Sequence, residues 1–281
     1  MTSFKEARDL PSFRRIAAAM WRHPSDPTIY GSMDVEVTET LAFMQRFRAE
    51  TGRRLTMTHV VAHALAGVFA RHPELNAKIR FGGRVELRST VDLFVSIATE
   101  GGKDLSGARV ASADRMSLVE MIDAVEERAR GVRRGEDPGY QRSRETFKAL
   151  PWWLARPAIT LTDVLTNELH LDLPEHGMPR DPFGTAVVTN VGSFGIDTAF
   201  APFLPAGRCA MLLLLTEVKP RPVVVGERVE PRPVLRLCAT FDHRIVDGAA
   251  AGVVARELRA AIENPNSAPR ATERSASSRV S

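Results

Sequence analysis

A two-layer α/β sandwich is the architecture this chain predicts, and three observations predict it. Apolar, β-rich runs of strand length recur at Val91 to Ala98, Thr185 to Thr189, Cys209 to Thr216 and Val234 to Phe241. Between them lie stretches whose apolar residues return every three to four positions, as in Leu118, Met121, Ile122 and Val125. The two kinds do not alternate strictly, which favours an α/β sandwich over a doubly wound parallel sheet.

The elements follow in order. Ser12 to His23 predicts a helix stopped by Pro24, with Ile16, Ala19 and Met20 on its apolar face. Arg14 and Arg15 fall in its first turn, against the helix dipole, so they are either solvated or drawn to an acid elsewhere. Met33 to Val37 alternates as a strand. From Thr38 a helix carries Leu41, Met44 and Phe47 and stops at Gly52. Thr58 is placed as the cap of the next helix, whose Val61, Leu65 and Val68 share a face up to His72-Pro73. Ile79 to Leu87 predicts a hairpin around Gly82-Gly83. After a loop at Glu100 to Asp104, a helix runs from about Ser117 to Arg130. Residues 131–183 are rich in Pro, Gly and charge and hold Trp152-Trp153 and an apolar piece near Ile159 to Leu165. Val223 to Val229 and Val234 to Phe241 suggest a hairpin around Gly226. A last helix, Ala249 to Glu263, turns Val254, Leu258 and Ile262 inward. Residues 1–264 therefore read as one domain, and the polar 265–281 as a disordered tail.

Composition narrows the function classes. At 44% hydrophobic and 26% charged, 281 residues can bury a real core. No apolar run approaches the roughly 18 residues of a membrane span, and the start of the chain has no apolar segment of the kind a secretory signal needs. The net charge is +4, of which residues 265–281 hold +2, and acids interleave the rest. No phosphate-tracking stripe results, so no nucleic-acid partner is expected. Cys209 and Cys238 sit in apolar strand runs and read as buried free thiols in a reducing cytoplasm. His59 and His63 are four apart, as in a zinc site, but no Glu lies between them and no third ligand is suggested. Both are read as structural, and no metal is expected.

The stretch Thr240-Phe241-Asp242-His243-Arg244-Ile245-Val246-Asp247-Gly248 carries the chemistry. A strand-like run delivers a histidine, and four residues later an Asp-Gly step opens a helical pattern. Imidazole both takes and gives a proton near neutrality. Asp247 is suited to cap the final helix, to anchor the loop through a charge pair, or both.

This block resembles the HxxxDG signature of CoA-dependent acyltransferases. In its DHRxxDG form it is similar to the catalytic domain of the dihydrolipoamide acyltransferases of 2-oxo acid dehydrogenase complexes. Three further blocks match in order: Ser12-Phe13-Arg14-Arg15-Ile16-Ala17, His72-Pro73-Glu74-Leu75-Asn76, and Phe183-Gly184-Thr185 through Thr189-Asn190-Val191-Gly192. The resemblance implies the chloramphenicol acetyltransferase-like fold and a site at the subunit interface of a homotrimer. It implies that His243 deprotonates a thiol, that Thr189 donates its hydroxyl to the oxyanion, and that Asp247 pairs with Arg14 or Arg15. Asn190 and Gly248 would support the site. Read alone, Thr189 is equally a β-branched strand residue. Coenzyme A would take part as acyl-CoA substrate or product, entering opposite the acyl-lipoyl group; its contact residues are not legible.

The chain also departs from that pattern. No lipoyl or subunit-binding domain is apparent, so no lipoyl group is expected on this chain, and the acyl donor would be a free thioester or a lipoyl-bearing protein acting in trans. Gly102 to Val110 differs from the family's apolar segment there, residues 131–183 are a divergent insertion, and the polar tail predicts an isolated trimer. Acyl transfer to a small-molecule hydroxyl or amine, and a non-catalytic trimeric scaffold, are the other readings the residues allow.

Overall fold

The computed structural model describes residues 26–98, 105–134, 151–172, 179–203 and 207–267. The helix expected over Ser12 to His23, with Arg14 and Arg15, and the tail beyond Ser267 lie outside the described residues.

In chain order the elements are β1 (Thr28–Glu36), α1 (Thr38–Thr51), α2 (Met57–Arg71), β2 (Ala77–Ile79), β3 (Val85–Leu87), β4 (Leu93–Ala98), β5 (Leu105–Val110), α3 (Leu118–Arg134), α4 (Trp152–Asp163), β6 (Ala186–Asn190), β7 (Met211–Leu215), β8 (Lys219–Val225), β9 (Arg228–Asp242) and α5 (Gly248–Glu263). Among the described residues a seven-stranded mixed sheet runs β1-β9-β7-β6-β4-β5, with β8 paired to β9; β2 and β3 form a separate hairpin. The β4-β6 and β6-β7 pairs are parallel and the others antiparallel.

Strand alternation divides the sheet into two unlike faces. Val188, Leu213, Leu215, Leu237 and Ala239 meet Val61, Leu65, Phe69, Val254, Leu258 and Ile262 of the helices in the main core. The opposite face is smaller. Val187, Cys209, Leu212, Leu214 and Cys238 are covered by Phe94, Phe183 and the irregular segment carrying Ala199, Ala201 and Phe203. That strap is tied down by polar contacts, Lys219 to Asp197 at 2.8 Å, Arg236 to Thr198 at 3.2 Å and Thr240 to the Ala201 carbonyl at 2.9 Å.

The expected sandwich is the observed one, with local corrections. The second helix is capped by Thr56, not Thr58: Thr56 Oγ1 accepts from the His59 amide, and His59 Nδ1 accepts from the Thr56 amide. Val223 to Val229 is the tip of a hairpin turning at Gly226, and β9 is one strand of 15 residues reaching back to Arg228. Prolines 220, 222, 231 and 233 hid this extension, since a proline has no N–H to give a ladder. β5 was not expected as a strand at all. Its Gly107 has an aromatic ring where a side chain would begin, since an added Cβ would lie 2.2 Å from Phe94. Both cysteines are buried, and burial pushes the Cys209 thiol up to about 12, so it stays protonated at neutral pH. Among the described residues no helix is long and apolar enough to cross a membrane.

Candidate active site

The loop after β9 is rigid for reasons visible in its bonds. The Asp242 carbonyl accepts from the amides of Ile245 and Val246, both at 2.9 Å, closing a turn around His243 and Arg244. Arg244 folds back onto Asp242 through Nε at 2.9 Å and Nη2 at 2.6 Å, and its own amide donates to Asp242 Oδ1 at 3.0 Å. The Asp242 hydrogen bond, above all, holds the Arg244 guanidinium above its usual range. Fully buried Val246 pins the far side of the turn, and the His243 amide donates to the Pro27 carbonyl at 2.8 Å. His243 is thus presented on an exposed but fixed turn, and its ring makes no hydrogen bond to the described residues.

Asp247 is the N-cap of α5: its Oδ1 accepts from the Ala250 amide at 2.8 Å. Its expected partner, Arg14 or Arg15, lies outside the described residues. Gly248 begins the helix, and a Cβ there would meet nothing within 4 Å of the described residues, so no local crowding requires glycine.

Thr189 stands near the end of β6, half-buried, and its hydroxyl has no hydrogen-bond partner among the described residues. By alternation it shares the face of Val187, the side under the strap. Asn190 closes the turn that follows, its Oδ1 accepting from the Gly192 amide at 2.9 Å and its Nδ2 donating to Thr58 at 3.2 Å. The backbone of Thr216 passes so close to Gly192 that an added Cβ would sit 2.7 Å from its carbonyl oxygen. A cavity of about 440 Å³ opens between β4 and helices α2 and α3, with Ser96, His59, Arg54 and Arg130 in its walls. Burial pulls the His59 pKa down, while nearby Glu126 works the other way. Besides its place in the α2 cap, His59 thus lines this cavity. His63 Nε2 lies 3.3 Å from the Met116 carbonyl.

The sheet register separates the two candidate groups. Thr189 lies opposite Leu214, and Leu214 opposite Cys238. His243 is five residues beyond Cys238. At about 3.3 Å per residue and 4.8 Å between strands, the two backbones are roughly 19 Å apart within one chain. They belong to opposite ends of the sheet.

The family model described as 2-oxoacid dehydrogenases acyltransferase (catalytic domain) matches residues 6–143 and 182–269. The chain belongs to this acyltransferase family. Among its relatives, the dihydrolipoyllysine-residue acetyltransferase component of the acetoin cleaving system of Bacillus subtilis is 24% identical over 272 residues, 94% of this chain and 57% of that protein. The succinyltransferase component of the mitochondrial 2-oxoglutarate dehydrogenase complex of Bos taurus is 38% identical over 82 residues, 29% of this chain and 18% of that protein. The chain spans little more than half the length of the first of these relatives. Two solved structures share the fold: a probable dihydrolipoamide acetyltransferase from Listeria monocytogenes (TM-score 0.63, 19% identity, 94% of this chain and 96% of that one) and the dihydrolipoamide acetyltransferase of Azotobacter vinelandii (TM-score 0.64, 18% identity, 93% of each). The acyltransferase-family match passes over residues 144–181, most of the expected insertion.

That insertion contains polar residues that local patterns did not single out. Arg208 bonds Asp163 at 2.6 Å and also Glu168, and its guanidinium lies 4.9 Å from the Phe81 ring centroid. Arg80 also holds Glu168, at 3.1 Å. Burial alone would raise the Glu168 pKa, but hydrogen bonds from Arg208, the Phe81 amide and Arg80 bring it down to about 2.

Proposed function

We propose that this chain is a CoA-dependent acyltransferase that moves an acyl group between coenzyme A and a dihydrolipoyl-type thiol, with each site shared by two protomers of a homotrimer. The observation that carries this reading is the register: an exposed imidazole and a half-buried hydroxyl, neither hydrogen-bonded among the described residues, lie roughly 19 Å apart in one chain. Copies related by a rotation bring the His243 end of one sheet to the Thr189 end of the next, over the strap-covered face.

In the reaction so read, His243 takes the proton of the attacking thiol. The thiolate adds to the thioester carbonyl, and the resulting oxyanion accepts a hydrogen bond from the Thr189 hydroxyl of the adjoining protomer. Collapse of this intermediate breaks the original C–S bond, and the departing thiolate recovers the proton from His243. The Asp242–Arg244 pair and the Asp247 cap keep the imidazole aimed. Coenzyme A would carry one thiol, and a lipoyl-bearing protein in trans would supply the other.

Mixing two inactive variants tests the arrangement. With acetyl-CoA and dihydrolipoamide, His243→Ala should lose about 10²–10⁴-fold and Thr189→Ala about 10²–10³-fold in kcat. Co-assembled in equal amounts, they should regain about a quarter of wild-type activity, because some interfaces then join an intact histidine to an intact threonine. A mixture no more active than its parents would defeat the shared-site reading. Equal rates for His243→Ala and wild type would leave a scaffold, and turnover only with alcohols or amines would move the acceptor class.

A further inference from the structure

A second polar cavity, of about 170 Å³, lies where the insertion meets the sheet. Its walls hold more cations than their neighbouring acids neutralise. Arg88 is matched by Asp181, through bonds of 2.6 and 2.8 Å, and Arg109 by Asp92 at 2.6 Å. The remaining carboxylate, Glu86, is shared among Lys78 at 3.4 Å, Arg80 at 3.6 Å and His170 at 3.1 Å. Arg180 also lines the cavity, and its guanidinium pairs with no acid among the described residues.

Lys78 is the telling residue. It is 4% exposed, and its ammonium has three hydrogens to place. Its acid contact, Glu86 Oε2 at 3.4 Å, is not aligned as a hydrogen bond, and that oxygen is itself buried without a partner. The Arg109 Nε is likewise buried without one. Of these groups, the donors Lys78 Nζ and Arg109 Nε are the ones from which an anion can accept.

The backbone adds an independent observation. Among the described residues the non-glycine positions in the left-handed region are Ser112, His170, Asp181 and Arg208. His170 and Asp181 line the cavity, the Arg208 carbonyl accepts from Arg88, and the Ser112 amide donates to Asp92. Strain gathered around one cavity is characteristic of a site whose side chains are held for a ligand.

We propose that this cavity binds a phosphate group, either the free ion or a phosphomonoester. Its lining has an excess of one positive charge with His170 neutral and two with it protonated, which suits a dianion with several acceptor oxygens better than a single carboxylate. The ligand would bridge β2, β5 and the insertion, fastening the insertion to the sheet. This reading is independent of the acyl-transfer site.

Titration calorimetry on the full chain, at constant ionic strength, tests it with inorganic phosphate, glycerol phosphate and acetate. Saturable binding of a phosphate species is expected, weakened about tenfold in Lys78→Met and in Arg180→Gln. Exposed Arg180 can be replaced without disturbing the core, so that arm stands even if Lys78→Met misfolds. Tighter inorganic phosphate would assign the free ion, and tighter glycerol phosphate a monoester. Acetate binding equally well, no saturable binding, or unchanged affinity in a folded Arg180→Gln protein would each overturn the proposal.

Discussion

The sheet with its helices and the insertion that docks on it are held by different forces. The scaffold is joined by aliphatic and aromatic contact: Phe69, Leu213, Leu237 and Ile262 are almost wholly out of water in one continuous core. The seam of the insertion is joined through charge, with Arg208, Arg80 and Arg88 gripping Asp163, Glu168 and Asp181. Meanwhile Trp153, Leu161 and Leu169 of the insertion stay exposed. Apolar burial is non-directional and tolerates distant partners of many shapes, whereas an arginine fork demands one acid at one place. The scaffold should therefore fail globally, in one cooperative transition, and the seam locally.

Experiments can break that contrast. Phe69→Ala should cost about 4 kcal/mol of global stability in urea unfolding, with every probe moving together. Arg208→Ala leaves two acids without their main cation and should cost about 3 kcal/mol. Its loss should appear first as protease cleavage within 151–172 while the scaffold transition barely shifts. If both variants moved a single common transition equally, seam and scaffold would be one cooperative unit. Acid offers a gentler probe. Because the folded Glu168 pKa is about 2 against an ordinary 4.5, its contribution is complete above about pH 4.5 and fades as the pH falls towards 2. Tryptophan emission, to which Trp152 and Trp153 contribute, should change over that window before far-ultraviolet dichroism does. The smallest effect belongs to the Asp247 cap: Asp247→Ala should cost about 1 kcal/mol, and a much larger fall in kcat than in stability would show that the carboxylate also fixes the loop.

The same contrast explains what could be read from the chain. Met211 to Leu215 and the Val61-Leu65-Val68 stripe announce themselves because burial selects residue type locally. The His243 turn was legible because its parts are adjacent in sequence, and even its Asp242–Arg244 clasp spans two residues. β5 was not legible, since Leu105-Ser106-Gly107-Ala108-Arg109-Val110 becomes a strand through Phe94 and its neighbours on β4. Nor was the Arg208 junction, whose acids lie 45 and 40 residues away, or the cavity that Lys78 shares with Arg180. Meetings of that kind leave no periodic trace.

The two sulfhydryls beneath the strap make the protein its own opening gauge. Cys238 is wholly shielded and Cys209 nearly so, on the face closed by Ala199, Ala201 and Phe203. Among the described residues this strap is part of their cover, so alkylating reagents should reach them faster when it lifts or the chain unfolds. Their labelling rate, followed with and without acyl substrates, would thus count excursions of the cover in the native protein with no dye or tag added.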